Sequence, residues 1–181
     1  MTWWLDLRHP EDTSPIHPNG FEKREGARLY FDDRKAALAR REMKQGDSVF
    51  IYECATNPSN VAWSGPSAVG ALVLVDSPPY ERVDRHRNAR TGNAENWKVD
   101  ASWVIALRDW RRGVPLDRLR SILGYRRRWS PRSLMRLPEA AAKELLAALE
   151  AFDGQVALPA ADFPERFLRA RPEENVMKRL N

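Results

Sequence analysis

Residues 38–53, Leu-Ala-Arg-Arg-Glu-Met-Lys-Gln-Gly-Asp-Ser-Val-Phe-Ile-Tyr-Glu, constrain the fold more than any other stretch of the chain. The first part is charged and rich in Ala and Leu, as a helix end is. Gly46 then supplies a stop, and Val49–Tyr52 is a β-branched and aromatic run that suits a buried strand. A helix therefore turns sharply into a central strand.

The elements around that turn follow from periodicity and from turn residues. Residues 2–8 alternate, with Trp3, Leu5 and Leu7 on one face and Thr2, Trp4, Asp6 and Arg8 on the other, which predicts a half-buried strand. Pro10, Pro15, Pro18 and Gly20 predict a loop running to about Asp32. Asp32 or Asp33 is placed to cap a helix that continues to about Lys44. After the central strand comes a polar loop, 55–66, that carries Trp63. Residues 69–75 are apolar throughout, as in a strand covered on both faces, and Pro78 and Pro79 end it.

Arg82 to Asn96 reads as a basic loop. From Trp97 the alternation returns, with Trp97, Val99, Ala101, Trp103, Ile105 and Leu107 on one face and Lys98, Asp100, Ser102 and Arg108 on the other. Pro115 opens a short helix over 116–123 that Gly124 closes. Pro138 and Glu139 open another through Leu149, with Ala141, Leu145, Ala148 and Leu149 as its apolar stripe. From Asp153 on, Pro159, Pro164 and Pro172 leave little periodicity. These elements predict one domain over 1–152, with 153–181 as a C-terminal tail or interdomain linker. Its class is α+β: a small, strongly curved mixed β-sheet or barrel flanked by helices.

Bulk properties agree with one domain, since 181 residues with 43% hydrophobic content can bury a real core. Lys and Arg outnumber Asp and Glu by 30 to 25. The excess is nearly all arginine, which suits phosphate contacts but also suits a solvated surface. Cys54 is the single cysteine, so no intramolecular disulfide forms and a reducing, cytoplasmic setting is expected. With His9, His17 and His86 scattered, no structural zinc spacing exists, and neither metal nor cofactor is expected. No apolar run is long enough to span a bilayer, and no signal-peptide h-region opens the chain, so no membrane partner is expected.

An enzyme would need a nucleophile with its base, paired carboxylates or a metal cluster, and none assembles from these residues. Binding needs aromatic faces and cations, and both are present. Arg126, Arg127, Arg128 and Arg132 around Trp129 form the densest basic run and are the first candidates for phosphate contacts, with Arg85, Arg87 and Arg90 second. Asp6 could accept from the exocyclic amine of cytosine or adenine, or could simply pair with Arg8.

Four ordered segments carry a resemblance to a known family: Trp3-Trp4-Leu5, residues 38–53, Gly70–Val75, and Trp97-Lys98-Val99-Asp100 leading through Trp103 to Val114-Pro115-Leu116. Together they resemble the EVE and YTH domains, the modified-base-binding branch of the PUA-like superfamily. The resemblance implies a PUA-like sheet and an aromatic cage for one flipped base. Tyr30 or Phe31 would supply its first aromatic and Tyr80 or Trp97 its second, with Trp4, Asp6 and Tyr52 also in the candidate base-binding set. Trp97 and Tyr30 are expected to share a pocket. The Lys-Ser-Glu-Pro run usual in EVE domains is Leu7-Arg8-His9-Pro10 here, so only the proline matches. The expected activity is recognition of methylated cytosine or adenine, in DNA rather than RNA, by the reader module of a modification-dependent restriction system, fused to or associated with a nuclease and here excised from it. The alternatives are an RNA-binding PUA-like module acting on modified tRNA or rRNA, and a small-molecule or protein-interaction domain.

Overall fold

Gly46 and Asp47 make the turn that the sequence places at the centre of the fold. Gly46 adopts φ +88°, a left-handed conformation that side-chain-bearing residues adopt only with strain. Its N–H donates to the Val75 carbonyl at 2.8 Å, and the Val75 N–H donates back to the Asp47 carbonyl at 2.8 Å. The Ser48 N–H donates to the Thr2 carbonyl at 3.0 Å. One turn is thereby stitched both to the end of one strand and to the start of another.

The computed structural model describes residues 1–8, 27–53, 67–83, 94, 96–107, 113–126 and 134–156. In chain order the elements are β1 (Trp3–Arg8), β2 (Ala27–Phe31), α1 (Asp33–Glu42), β3 (Ser48–Glu53), β4 (Ala68–Val75), β5 (Tyr80–Glu81), β6 (Trp97–Ala106), β7 (Val114–Pro115), α2 (Leu116–Leu123), β8 (Leu134–Leu137) and α3 (Glu139–Val156). The strands form one sheet in the order β2-β6-β4-β3-β1-β8, with β5 paired to β6 and β7 to β4. The β1–β3 pair is parallel and the others are antiparallel, so the sheet is mixed. Register shifts at Ile51/Tyr52 and at Leu72/Val73 increase its local twist. The result is a curled, half-barrel sheet with three helices among the described residues, the α+β architecture expected.

α1 packs against β2 and β8, the two ends of the strand order, and Arg136 of β8 donates to Glu42 of α1 at 3.4 Å. The helix thus straps the open sides of the sheet together. Its start is capped as expected: the Asp32 side chain accepts from the Lys35 N–H at 2.9 Å. α2 and α3 pack on each other and against β4 and β7, and Gly124, at φ 67°, closes α2. Gly113 precedes β7 at a point where a Cβ would lie 2.0 Å from the Val69 carbonyl oxygen, so only glycine lets the chain pass β4 this closely.

Five expectations are corrected. β1 is covered on both faces: Trp4, Leu5 and Asp6 are all fully buried, because an interior strand paired in parallel with β3 also lies under α1. Residues 27–31 form an edge strand, not loop; pairing with β6 stabilises five residues that local propensity leaves undecided. Leu134–Leu137 form β8 by pairing antiparallel with β1. α3 continues to Val156, past the end expected at Leu149. Along β6 the alternation holds to Trp103 and breaks at Val104, since Trp103 faces Val73 while Ile105 faces the adjacent Leu72. Residues 157–181, with most of the tail or linker, lie outside the described residues, as do His9, His17, Cys54, Trp63 and His86.

Asp47 completes the turn with its side chain. Its carboxylate, in a residue only 3% exposed, accepts from the Thr2 N–H at 2.7 Å, the Trp4 indole N–H at 3.0 Å and the Lys44 N–H at 3.0 Å. Hydrogen bonds to a charged acceptor contribute about 1.5–3 kcal/mol each, and a stranded buried donor costs about 1–3 kcal/mol. Asp47→Ala is therefore expected to lower unfolding stability by about 3 kcal/mol or more in urea titration, with Asp47→Asn losing less; a loss below about 1 kcal/mol for the alanine variant would contradict this role.

Candidate functional site

The β2–β6 pair sets the layout of the candidate site. Phe31 pairs with Trp97 and Tyr30 with Lys98, while β5 places Tyr80 opposite Lys98 from the other side. Directly paired residues share a face and successive residues alternate, so Phe31 and Trp97 lie on one face and Tyr30, Tyr80 and Lys98 on the other. Tyr30 and Trp97, expected in one pocket, are therefore on opposite sides of the sheet. The physical reason is the strand at 27–31: once Phe31 rather than Tyr30 faces Trp97, the period of two separates the pair.

α1 builds the first face. From its last turn Arg40 places its guanidinium carbon 3.9 Å from the centroid of the Trp97 ring, and the indole is half-buried beneath it. From its first turn Lys35 donates to Asp6 Oδ1 at 2.7 Å and to the Leu7 carbonyl at 2.7 Å. Asp6 is fully buried and the Lys35 side chain is 15% exposed, so this is an interior ion pair reinforced by a backbone acceptor. Phe31 and Trp4 are fully buried, and Trp4 commits its indole N–H to Asp47.

The opposite face carries a second set of aromatic and charged groups. The Arg82 guanidinium carbon lies 4.3 Å from the Tyr30 ring centroid and Lys98 Nζ 4.9 Å from that of Tyr80. The Tyr80 hydroxyl donates to Asp100 Oδ2 at 2.8 Å, the Asp100 N–H donates to Ser77 Oγ at 2.9 Å, and Ser102 Oγ donates to Asp76 Oδ2. Burial, and then the hydrogen bond to Asp100, hold the Tyr80 phenol above its ordinary value, so it remains a protonated donor at neutral pH.

Of the candidate base-binding residues, Trp97 and Tyr80 are half-buried, whereas Trp4, Asp6, Tyr30, Phe31 and Tyr52 are buried. Arg126 is exposed just past α2; Arg85, Arg87, Arg90, Arg127, Arg128 and Arg132 lie outside the described residues. The sequence reading missed Lys35, Arg40 and Lys98, which contact its candidates; it placed Arg82 in a basic loop suited to phosphate but not over Tyr30. Lys35 and Arg40 stand five apart on α1, a spacing that puts no two residues side by side, so only the docked helix reveals that both reach the same face. Among the described residues no group of three His, Cys, Asp or Glu could hold a metal ion, and no helix is long and apolar enough to cross a membrane.

No protein-family model matches the chain, and no curated protein matches it in sequence. Solved structures do match it in fold. A hypothetical protein from Leishmania major is 18% identical, with a TM-score of 0.56 over 83% of this chain and 96% of that one. Human THYN1 in complex with 5-methylcytosine-containing DNA is 16% identical, with a TM-score of 0.51 over 83% of this chain and 98% of that one. The Mmi1 YTH domain in complex with RNA is 9% identical, with a TM-score of 0.52 over 86% of this chain and 82% of that one.

The Asp6–Lys35 pair gives the site a measurable property. Removing one partner of a buried pair leaves an uncompensated charge and typically costs 3–5 kcal/mol. Lys35→Met is expected to lose about 3 kcal/mol in denaturant unfolding, and Asp6→Asn/Lys35→Met to lose less than the two single changes combined. Additive losses would show that the two side chains are not coupled.

Proposed function

We propose, from the premise that this chain has the PUA-like fold of EVE and YTH domains, that it binds nucleic acid and accommodates one flipped, modified base beside Trp97. Trp97 carries the reading: a half-buried indole on the α1-covered face, with an arginine over one side and a buried carboxylate–ammonium pair held by the same helix. A base drawn out of its stack loses stacking energy, and an aromatic side chain restores about 1–3 kcal/mol of it. Arg40 is a cation already positioned beside that ring, able to neutralise an adjacent phosphate. Asp6, on the same face, is fully buried and bound to Lys35, so it holds the first turn of α1 in place and leaves Trp97 and Arg40 as the groups a base would meet.

The fold similarity to THYN1, seen with 5-methylcytosine-containing DNA, supports DNA as the partner. The finer reading is that of a cytoplasmic, non-enzymatic reader of methylated cytosine or adenine that works with a nuclease in modification-dependent restriction. An RNA-binding role is the second reading, favoured by the similarity to the Mmi1 YTH domain in complex with RNA.

Competition binding at fixed salt separates the two, with one sequence offered as duplex DNA and as single-stranded RNA, each unmodified or carrying 5-methylcytosine, 5-hydroxymethylcytosine or N6-methyladenine. The wild type is expected to prefer one modified oligonucleotide, and Trp97→Ala to lose about tenfold or more of its affinity for that oligonucleotide. Equal binding to modified and unmodified forms by the wild type would overturn the reading.

A further inference from the structure

The outer side of α1 is a cationic surface that the site does not use. Ala36, Ala39 and Met43 point into the core and Arg40 lies over Trp97, while Arg34, Ala37 and Arg41 are exposed on the outer side, and Lys44 is exposed just past the helix end. At 100° per residue, Arg34 and Arg41 fall on one line, with Ala37 between them as a residue too small to hold a partner away. Arg136 of β8, 60% exposed, extends the patch beside Glu42.

Charge balance distinguishes this surface from the other helices. The exposed cations of α2 and α3 are paired one to one: Arg118 with Glu144 at 2.8 Å and Lys143 with Glu139 at 2.7 Å. On α1, by contrast, Arg41 and Arg136 share the single carboxylate of Glu42, at 2.6 and 3.4 Å. The Arg34 and Lys44 side chains have no ion-pair partner among the described residues. A row of cations exceeding its counter-charges has the complement of a polyanion.

We propose that the outer stripe of α1, Arg34, Arg41 and Lys44 with Arg136 beside them, is the track for the phosphate backbone of the bound nucleic acid strand. The inference rests on the proposed function and specifies which surface carries the sequence-independent part of binding. Seven residues of helix advance about 10 Å, far enough for Arg34 and Arg41 to reach different phosphates of one strand. Arg40, on the flank of the same helix, lies over Trp97. A strand on the stripe therefore passes next to the aromatic site, and the base opposite Arg40 is the one positioned to leave the strand. The stripe sets affinity and register, and the Trp97 face sets base preference.

The test is the salt dependence of binding to the oligonucleotide that the wild type prefers. Each phosphate contact contributes about 0.9 to the slope of log K against log salt on duplex DNA and about 0.7 on a single strand. Arg34→Gln/Arg41→Gln/Lys44→Gln is expected to reduce that slope by about two to three while leaving the modified-to-unmodified preference ratio unchanged. Arg118→Gln/Lys143→Gln, with two cations removed from the other helices, is expected to keep the wild-type slope, and matched thermal melts confirm that both variants are folded. A triple variant with the wild-type slope would overturn the stripe while leaving the reader function standing. A wild type with no salt-dependent binding to DNA or RNA would overturn both. Loss of binding to phosphatidylserine vesicles in the triple variant, with nucleic-acid binding intact, would overturn the proposal and assign the stripe to a membrane surface.

Discussion

A single buried carboxylate organises this fold. Asp47 follows a left-handed glycine, and from that position it draws together the N-terminal backbone at Thr2, the indole of Trp4 and the end of α1 at Lys44. These three groups come from two separate parts of the chain, and the Trp4 indole would otherwise present an unsatisfied N–H to the interior. Because the same turn also exchanges backbone hydrogen bonds with Val75, β3 is held between β1 and β4 at one end of the sheet. The parallel β1–β3 pair, which cannot be made by a hairpin, starts from this clasp.

Fixing the end of α1 also fixes what the helix can reach. Strapped from β2 to β8, it delivers Lys35 to a carboxylate inside the sheet and Arg40 to an aromatic ring, and turns its remaining cations outward. Structure and chemistry meet in this one element. Its inner side supplies core alanines, its flanks supply the charged partners of Asp6 and Trp97, and its outer side supplies excess positive charge. The second aromatic and charged cluster, around Tyr80 and Asp100, lies on the other side of the β2–β6 pair and is separated from Trp97 by the sheet itself.

Much of this was legible in the sequence wherever a local rule was strong. The Gly46 stop, the Asp32 cap, the Gly124 close of α2 and the unbroken apolar run of β4 each stand where their residue chemistry places them. The ordered segments also carried the PUA-like fold. What escaped was set by partners distant in the chain. β2 and β8 are five and four residues long and exist as strands because β6 and β1 lie alongside them. Trp4 and Asp6 read as an outward face because alternation reports period, not whether a helix will cover the second side. The pairing of Tyr30 with Trp97 failed for a related reason: a one-residue difference in register moves a side chain to the opposite face, and nothing local sets that register.

Nuclear magnetic resonance of the seven tryptophan indole N–H groups tests the assignment of roles most directly. The Trp97 resonance, identified by its disappearance in Trp97→Phe, should move as the preferred modified oligonucleotide is added, while that of Trp4, locked to Asp47, should stay in place. A fixed Trp97 signal, or a Trp4 signal that shifts on titration, would contradict a site built on the Trp97 face and supported from beneath by the Asp47 clasp.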